Sequence, residues 1–337
     1  MDYRNLGRAG LKVSEICLGT MTMGNGADQA ESSRMVDAAL AAGVNFFDTA
    51  NSYVGGTSET MLGVALKGKR HDAIIASKFF NPMGGRPNDS GMSRLHIKQQ
   101  IEGCLKRLQT DYIDIFYVHH VDHATPLEEM LRALDDLVRQ GKILYTACSN
   151  YETWRMMEAL WLSDTNGWAR FDAYQPQYSL VVRDIDEEIV PACEAKGLGL
   201  VAWSPLAGGY LAGKYKPGSL KADGTRSAEG WGFNSRFFAP NHADILQALL
   251  DTAREINRSP AQTALRWVMD QPYITSAIVG ARNAQQLGET LGAGGWRLPA
   301  ASLAKLDKVS ARPHRYPRAF EESMVERRNS AIKMPGA

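Results

Sequence analysis

The stretch from Ile113 to His119, which reads Ile-Asp-Ile-Phe-Tyr-Val-His, is a short and largely apolar run that ends at a histidine. Runs of this length, rich in apolar and aromatic residues, are typical of buried strands. Seven further runs end in the same way, each at a polar, glycine or aromatic residue. These endings lie at Gly19-Thr20, Asp48, Lys78, Ser149-Asn150, Gln175, Trp203-Ser204 and Gly280.

The segments between these runs carry helix signals. After His119, apolar residues recur at helical spacing from Leu127 to Val138, and Thr125 is the predicted N-cap, with Pro126 at the first helical position. Alternating strands and helices predict a parallel sheet, and eight such units predict a (β/α)8 TIM barrel. Catalytic residues of this fold come from the C-terminal ends of several strands. The eight run endings therefore predict one face, which is the expected site.

The whole chain, residues 1–337, is predicted to form this single barrel domain, because no linker, low-complexity stretch or charge block marks a boundary. Residues 1–15 are predicted to form an N-terminal β-hairpin that closes the bottom of the barrel. Long loops are expected over the C-terminal face, together with the C-terminal tail of residues 312–337.

The composition excludes several classes of partner. The formal net charge is +1 and 22% of the residues are charged, so no basic surface indicates nucleic acid or an anionic membrane. No apolar stretch reaches the roughly 18 residues of a transmembrane helix, and the first residues lack the apolar region of a signal peptide. A cytoplasmic protein is predicted, with buried free thiols because CxxC spacing is absent from the cysteines. These are Cys17, Cys104, Cys148 and Cys193.

Four residues near three of the predicted strand ends, Asp48, Tyr53, Lys78 and His119, combine into a proton donor. A tyrosine hydroxyl has a pKa of about 10. A lysine ammonium beside it is expected to lower that pKa, and an aspartate would hold the ammonium in place. Tyr53 would then protonate a substrate carbonyl that a neutral His119 orients. Protonation of a carbonyl oxygen suits hydride delivery to its carbon. Because no side chain supplies a hydride, a nicotinamide cofactor is predicted as its source.

Two other sequence patterns suggest different chemistry. His119, His120 and His123 form an H-H-x-x-H cluster, but adjacent strand residues are expected to point to opposite faces, so no metal site is predicted. Tyr210 and Lys214 have the Y-x-x-x-K spacing of short-chain dehydrogenases. That family needs a glycine fingerprint after its first strand, and Gly19-Thr20 is not followed by one.

The sequence resembles the aldo-keto reductase family over residues 3 to about 318, in the family's order, and within it the branch of bacterial proteins similar to potassium-channel β subunits. Several motifs in register carry this resemblance. They are Asn45-Phe46-Phe47-Asp48-Thr49-Ala50-Asn51-Ser52-Tyr53, Ser77-Lys78, Asp111-Tyr112-Ile113-Asp114, Ser149-Asn150, Tyr174-Gln175, Trp203-Ser204-Pro205-Leu206-Ala207 and Gly280-Ala281-Arg282 with Gln286 and Glu289.

The resemblance implies an NADPH-dependent enzyme that reduces an aldehyde or ketone, with Asp48, Tyr53, Lys78 and His119 as catalytic residues. NADH remains possible, since Gly280 stands where many members have lysine and Thr290 where they usually have asparagine. The implied cofactor contacts run from the nicotinamide to the adenine. They comprise Gly19, Thr20, Met21 and Asp48, then Ser149, Asn150 and Gln175 at the carboxamide, Trp203 on the ring, Ser204, Pro205, Leu206, Gly208 and Lys214 near the phosphates, and Gly280, Arg282, Gln286 and Glu289 around the adenosine.

Aromatic residues around the expected mouth favour a bulky or hydrophobic carbonyl substrate. A long segment after Trp203 reaches to about Asn241 before a helix resumes, and segments of this length are usually functional. Its aromatic residues and further predicted pocket walls are Trp231, Phe233, Phe237, Phe238, Phe79, Phe80, Met21 and Tyr151. The alternative is a cofactor-binding regulatory or docking subunit with vestigial activity, because the family includes potassium-channel β subunits.

Overall fold

The computed structural model describes residues 1–221 and 238–331, the last six of them by their backbone alone. Three aromatic residues predicted to shape the pocket, Trp231, Phe233 and Phe237, lie outside these described residues, as does the end of the predicted tail.

Eight parallel strands close into a barrel in which each strand pairs with its neighbours in chain order, and the last pairs with the first. The predicted (β/α)8 barrel is therefore confirmed. Its strands are β3 (Ile16–Gly19), β4 (Phe46–Asp48), β5 (Ile74–Phe79), β6 (Ile113–Val118), β7 (Ile143–Ser149), β8 (Phe171–Gln175), β9 (Gly199–Ala202) and β10 (Ile274–Gly280).

Helices follow the strands and surround the barrel. They are α1 (Gln29–Ala41), α2 (Thr57–Ala65), α3 (Arg94–Leu108), α4 (Leu127–Arg139), α5 (Thr153–Asn166), α6 (Ile189–Lys196), α7 (His242–Glu255), α8 (Pro260–Asp270), α9 (Ala284–Leu291), α10 (Ala300–Ser310) and α11 (Arg318–Ala331). No helix among the described residues has the length and apolarity needed to cross a membrane.

The predicted start of α4 was wrong by one residue. Pro126, with φ −57° and ψ 138°, is the N-cap, and the helix begins at Leu127. The hydroxyl of Thr125, the predicted cap, instead donates to Oδ2 of Asp122 at 2.6 Å. A serine or threonine caps a helix by accepting a backbone N–H. Here the aspartate engages the hydroxyl, and the N-terminus of α4 lacks a side-chain cap.

Side chains alternate along each strand between the barrel interior and the layer beneath the helices, because successive strand residues point to opposite faces. The interior cluster includes Cys17, Phe46, Ala76, Ile115, Tyr117, Ala147, Ala173 and Val201, all fully buried. The side chains on the outer face of the strands pack against the helices and form the larger hydrophobic core. In this core Phe79 stacks on Phe116. All four cysteines are free and buried, as predicted.

The N-terminal hairpin is confirmed as strands β1 (Tyr3–Asn5) and β2 (Lys12–Ser14). Leu6 and Val13 are fully buried and belong to the interior cluster of the barrel. The hairpin also contacts the beginnings of the strands, since the amide of Arg8 donates to the carbonyl of Gly197 at 2.9 Å, just before β9. These contacts place the hairpin at the bottom of the barrel, opposite the strand ends that carry the predicted site.

The tail after α10 contacts the segment that follows β8. Arg312 forms an ion pair with Asp184, and the backbone amide of Arg315 donates to the carboxylate of Glu187. Since β8 ends at the C-terminal face, these contacts lie on the same side of the barrel as the strand ends. A cover over the barrel mouth itself stays a prediction.

Candidate active site

Strand alternation explains where the predicted site residues lie. Asp48, Lys78 and His119 each follow an interior residue of the barrel by two positions, at the end of a strand or just beyond it. Because the side-chain period of a strand is two, each side chain continues the interior column at the C-terminal face. The same relation joins Ala147 to Ser149, Ala173 to Gln175 and Val201 to Trp203.

The ammonium of Lys78 is the centre of the site. It is fully buried and contacts Oδ1 of Asp48, the carbonyl of Thr49 at 2.8 Å and the hydroxyl of Tyr53 at 3.3 Å. The second oxygen of Asp48 accepts from Nε2 of Gln175 at 2.8 Å. The aspartate is thereby held between two strands, and the lysine is aimed at the tyrosine.

Tyr53 reaches this ammonium from a short 3-10 turn after β4, not from a strand. The turn continues through Val54 and Gly55 with left-handed φ values of 50° and 62°. A β-branched residue rarely adopts this conformation, so the backbone beside Tyr53 is strained. Strain of this kind persists where the surrounding structure enforces it, commonly at functional sites.

Burial, and not the neighbouring charges, favours a protonated tyrosine. Burial raises the pKa of Tyr53, and the Lys78 ammonium offsets only part of that rise. Burial opposes the charge on Lys78, but Asp48 and Tyr53 outweigh it, so the pKa of Lys78 is raised. The sequence predicted that Lys78 would lower the tyrosine pKa. Its influence has that sign, yet burial is stronger, and Tyr53 keeps its proton at neutral pH.

His119 faces Tyr53 across the site, with ring centroids 6.1 Å apart in an edge-to-face arrangement. Burial, followed by the charges of Lys78 and His120, lowers the pKa of His119 to about 2. The imidazole is therefore neutral at physiological pH, as predicted for a residue that orients a carbonyl by donating a hydrogen bond.

The prediction that His119 and His120 point to opposite faces was wrong. Their rings stack at a centroid distance of 4.5 Å with an interplanar angle of 14°. His119 continues the interior face of β6 as expected, but the strand ends at Val118, so the alternation does not extend to His120. Within residues 1–221 and 238–331, no group of three His, Cys, Asp or Glu side chains is arranged to hold a metal ion.

The residues implied at the carboxamide end of the cofactor form one network. Ser149 donates to the carbonyl of Gln175 at 2.8 Å, and Asn150 donates to the carbonyl of His119 at 3.1 Å. The indole N–H of Trp203 donates to Oδ1 of Asn150 at 3.3 Å. The structure thus brings together the ends of β7, β8 and β9 beside the predicted catalytic residues.

The loop after β9 turns sharply through left-handed residues. Ser204, Ala207 and Gly208 have φ values of 55°, 50° and 67°. Such turns can direct successive backbone N–H groups at an anion. The amide of Gly208 already donates to Oγ of Ser204 at 3.1 Å, so a phosphate oxygen there would share or replace this bond. The other predicted phosphate contacts, Pro205, Leu206 and the exposed Lys214, lie in or just after this loop.

The Tyr210 and Lys214 pair does not form a second catalytic centre. Tyr210 is fully buried, with its ring 5.3 Å from that of Tyr215, whereas Lys214 is exposed. A catalytic pair of this type needs both groups at one substrate. Because one side chain is buried and the other is exposed, the two do not form the catalytic pair of a short-chain dehydrogenase.

The residues implied around the adenosine lie at the end of β10 and on α9. Gly280 ends the strand, and the amide of Arg282 donates to Oε1 of Gln286 at 3.0 Å. Gln286 and Glu289 are exposed on α9. The hydroxyl of Thr290, one of the two departures from the family pattern, donates to the carbonyl of Leu287 at 2.9 Å and is turned into its own helix.

At the end of β3, the three predicted contacts have different surroundings. A side chain at Gly19 would lie 2.7 Å from Ile278, so this position needs glycine. Thr20 is buried, and its hydroxyl donates to the backbone carbonyl of Asp48 at 3.1 Å. Met21 has 45% of its side chain exposed and is available to a ligand.

Two predicted pocket walls were wrong. Phe79 and Tyr151 are buried at 0% and 2% exposure in the core beneath the helices. Phe79 follows the inward-pointing Lys78, and strand alternation turns it outward.

Two site residues were not predicted: Tyr117, buried in the barrel beneath the site, and Asn81, whose amide contacts His119 at 3.3 Å. Tyr117 could have been found by counting two residues back from His119.

The implied cofactor residues follow the order of the strands, which tests whether they fit one elongated ligand. Carboxamide contacts lie at β7 and β8, the aromatic ring follows β9, the anion-binding turn comes next, and the arginine follows β10. These four strands are consecutive neighbours in the barrel. A dinucleotide laid across their C-terminal ends would meet the predicted residues in its own chemical order, so the residues present fit a nicotinamide dinucleotide.

The structure is a closed (β/α)8 barrel whose predicted site lies at the C-terminal ends of its strands. The sequence model described as the Aldo/keto reductase family matches residues 15–311. The chain therefore belongs to the aldo/keto reductase family.

Three relatives illustrate the range of similar proteins. The chain is 38% identical to "Uncharacterized oxidoreductase YrpG" of Bacillus subtilis, covering 86% of this chain and 90% of the relative. It is 35% identical to "Probable voltage-gated potassium channel subunit beta" of Oryza sativa, covering 92% of this chain and 96% of the relative. It is 32% identical to "Norsolorinic acid reductase" of Aspergillus flavus, covering 89% of this chain and 78% of the relative. The predicted resemblance to the bacterial and channel-subunit branch is confirmed.

Proposed function

We propose that the chain is an NADPH-dependent reductase that converts an aldehyde or ketone to the alcohol, with Tyr53 as the general acid. One observation carries this proposal: the buried Lys78 ammonium contacts both Asp48 and the hydroxyl of Tyr53, beside a neutral His119. General acid catalysis requires a proton donor within hydrogen-bond reach of the reacting oxygen. Tyr53, held protonated by burial, is that donor.

Each catalytic residue has a separate task in this mechanism. His119 donates a hydrogen bond that orients the carbonyl oxygen, and Tyr53 transfers its proton to that oxygen as negative charge develops there. Lys78 then stabilises the tyrosinate electrostatically, and Asp48 keeps the ammonium in position. The nicotinamide, when bound, supplies the hydride. Ser149, Asn150, Gln175 and Trp203 would hold the nicotinamide beside these four residues.

NADPH is proposed over NADH because of Arg282, which lies after β10 where the 2′-phosphate end of the ligand is expected. An arginine fork suits a phosphate group. Gly280 offers no charge in place of the lysine that many family members carry. Arg282 would therefore supply the main cationic contact to the 2′-phosphate.

Arg282→Ala is expected to weaken NADPH binding about 10- to 100-fold while NADH binding changes little, since a hydrogen bond to a charged group contributes about 1.5 to 3 kcal/mol. Titration of both cofactors against both proteins, followed by fluorescence, measures the two dissociation constants. Arg282→Lys serves as the control, because a lysine keeps the charge without the fork and should lose less. Equal losses for NADPH and NADH would refute the assignment.

Trp203 is proposed to stack on the nicotinamide ring, and cofactor binding is then expected to quench tryptophan fluorescence. Trp203→Ala should lose most of this quench and lower kcat, because the ring no longer fixes the geometry of hydride transfer. Trp231→Phe, at a position outside the described residues, is measured alongside because seven tryptophans contribute to the signal. Full quench together with normal kcat in Trp203→Ala would remove the stacking role.

A hydrophobic or bulky carbonyl substrate is proposed from the apolar side chains around the site. Met21 and Val54 have 45% and 38% of their side chains exposed, and Phe80 is half-buried beside His120. The name of the Aspergillus flavus relative, norsolorinic acid reductase, supports reduction of an organic small molecule by this chain as well.

The cytoplasm is proposed as the location of the protein. Its reducing conditions suit the four free cysteines.

A panel of carbonyl compounds followed by NADPH and NADH absorbance tests the proposed function. The panel should contain aromatic ketones, aromatic aldehydes, aliphatic aldehydes and a triose. Multiple turnovers with NADPH, fastest for the aromatic compounds, are expected. Absence of turnover with every compound and both cofactors would contradict the proposal.

The relatives named as potassium channel subunits favour a second candidate, a cofactor-binding docking subunit with vestigial activity. The contacts that Lys78 makes with Asp48 and Tyr53, beside His119, favour an enzyme, since a docking role needs no proton donor. The two candidates differ in stoichiometry. Repeated turnover supports the reductase, whereas one slow turnover per protein with retained cofactor supports the docking subunit.

A further inference from the structure

Asn81 connects the two segments that carry the tyrosine and the histidine of the site. Its amide nitrogen lies 3.3 Å from Nδ1 of His119 and 3.1 Å from Oγ of Ser52, the residue before Tyr53. Asn81 itself follows β5, the strand that carries Lys78. One side chain thus bridges the elements that hold three of the four catalytic residues.

The backbone before Asn81 is shaped to present this side chain. Phe80 has a φ of 148°, a value that a residue with a side chain rarely adopts. Two hydrogen bonds hold it there: the carbonyl of Phe79 accepts from the amide of His119 at 3.0 Å, and that of Phe80 accepts from Gly91 at 2.8 Å. Residues in such regions are strained and cluster at functional sites. The strain lies next to the residue that contacts His119.

The contact decides which ring nitrogen of His119 carries the proton. A neutral imidazole has one N–H, and its other nitrogen is an acceptor. In the structure the –NH₂ group of Asn81 faces Nδ1 of His119. Because this group can only donate, in this arrangement Nδ1 accepts and the proton lies on Nε2. The carbonyl of the amide would do the opposite, because it would accept from a protonated Nδ1. Nε2 would then be a bare acceptor and would repel a substrate oxygen.

We propose that Asn81 is a positioning residue that fixes His119 in the tautomer with its proton on Nε2, so that this nitrogen donates to the substrate carbonyl. The inference rests on the proposed reductase function for its consequence, but the tautomer itself is a property of the protein alone. The group that sets a histidine tautomer is the partner of the other ring nitrogen.

The tautomer can be observed directly by ¹⁵N NMR of histidine-labelled protein, in which protonated and unprotonated ring nitrogens have different shifts. The chain has seven histidines, so the His119 signals are assigned by their loss in His119→Asn. The proton is expected on Nε2 at neutral pH. A proton on Nδ1 in the wild-type protein would overturn the proposal.

Asn81→Asp tests the same point with a side chain of equal size. A carboxylate only accepts, so it is expected to move the proton to Nδ1 and to raise the pKa of His119, against the opposing charges of Lys78 and His120. We expect kcat for reduction to fall about 10- to 100-fold, below the loss of about 10²- to 10³-fold for a deleted oxyanion donor. NADPH binding should remain nearly unchanged, which separates this effect from general damage.

Asn88→Asp is the matched control, because it places the same charge in the same loop at an exposed position. It should leave both the tautomer and kcat unchanged. If Asn81→Asp keeps the wild-type tautomer, or changes it without lowering kcat, the proposal is wrong. Should that variant fail to fold, the wild-type spectrum still decides the tautomer. The spectrum also decides it if no carbonyl is reduced, an outcome that would contradict only the reductase function.

Discussion

Tyr53→Phe is expected to lower kcat for carbonyl reduction by about 10²- to 10⁴-fold, the usual contribution of a positioned general acid. The reason is that, among the described side chains, the hydroxyl of Tyr53 is the one that accepts a hydrogen bond from the Lys78 ammonium. Phenylalanine keeps the ring and its edge contact with His119, so NADPH affinity should be nearly unchanged. Steady-state kinetics and fluorescence titration measure the two quantities.

The pH dependence of the wild-type enzyme provides a control for this result. A proton donor acts only while protonated, so reduction should weaken as the pH rises through the raised pKa of Tyr53. His119, with its pKa lowered to about 2, should add no acidic limb near neutral pH. A phenylalanine variant with wild-type kcat would remove Tyr53 from the mechanism.

Lys78→Met is expected to abolish reduction. It should also destabilise the fold by about 3 to 5 kcal/mol, because the other member of a buried ion pair is left as an unpaired buried charge. Lys78 is fully buried and Asp48 is 2% exposed. In the variant, the carboxylate of Asp48 still accepts a hydrogen bond from Gln175. It loses the ion pair with Lys78, the one cation that it contacts among the described residues. Urea denaturation measures the free energy of unfolding.

Two further variants separate the charge effect from the loss of a long side chain. Lys305→Met removes a lysine from an exposed pair with Glu255 and should change stability by less than about 1 kcal/mol. Asp48→Asn combined with Lys78→Met removes both charges, so it should regain most of the stability and none of the activity. Full stability of Lys78→Met alone would show that the pair does not hold the site together.

Much of the fold and the site follows from strand periodicity. The ends of the apolar runs at Asp48, Lys78 and His119 correctly predicted the barrel and one common face, because the carboxyl ends of parallel strands meet there. Strand alternation also identifies Tyr117 as interior and Phe79 as exterior. The wrong prediction of Phe79 as a pocket wall came from its place in the sequence without regard to this alternation.

The remaining features depend on contacts that the sequence does not encode locally. His120 stacks on His119 because it lies two residues beyond the end of β6, where strand alternation no longer sets the direction of a side chain. The pKa of Tyr53 rises because the folded barrel buries it, and burial depends on packing from all sides. Asn81 reaches His119 only through the strained turn at Phe80, which no residue type signals.

The most direct test of the central claim follows the hydride itself. The protein is incubated with NADPH that carries deuterium at the transferred position of C4, together with the best carbonyl compound of the panel. Mass spectrometry and NMR of the product are expected to show one deuterium on the carbinol carbon, formed over many turnovers, and almost none with Tyr53→Phe. Oxidation of NADPH without a deuterated alcohol, or equal product from Tyr53→Phe, would contradict the account.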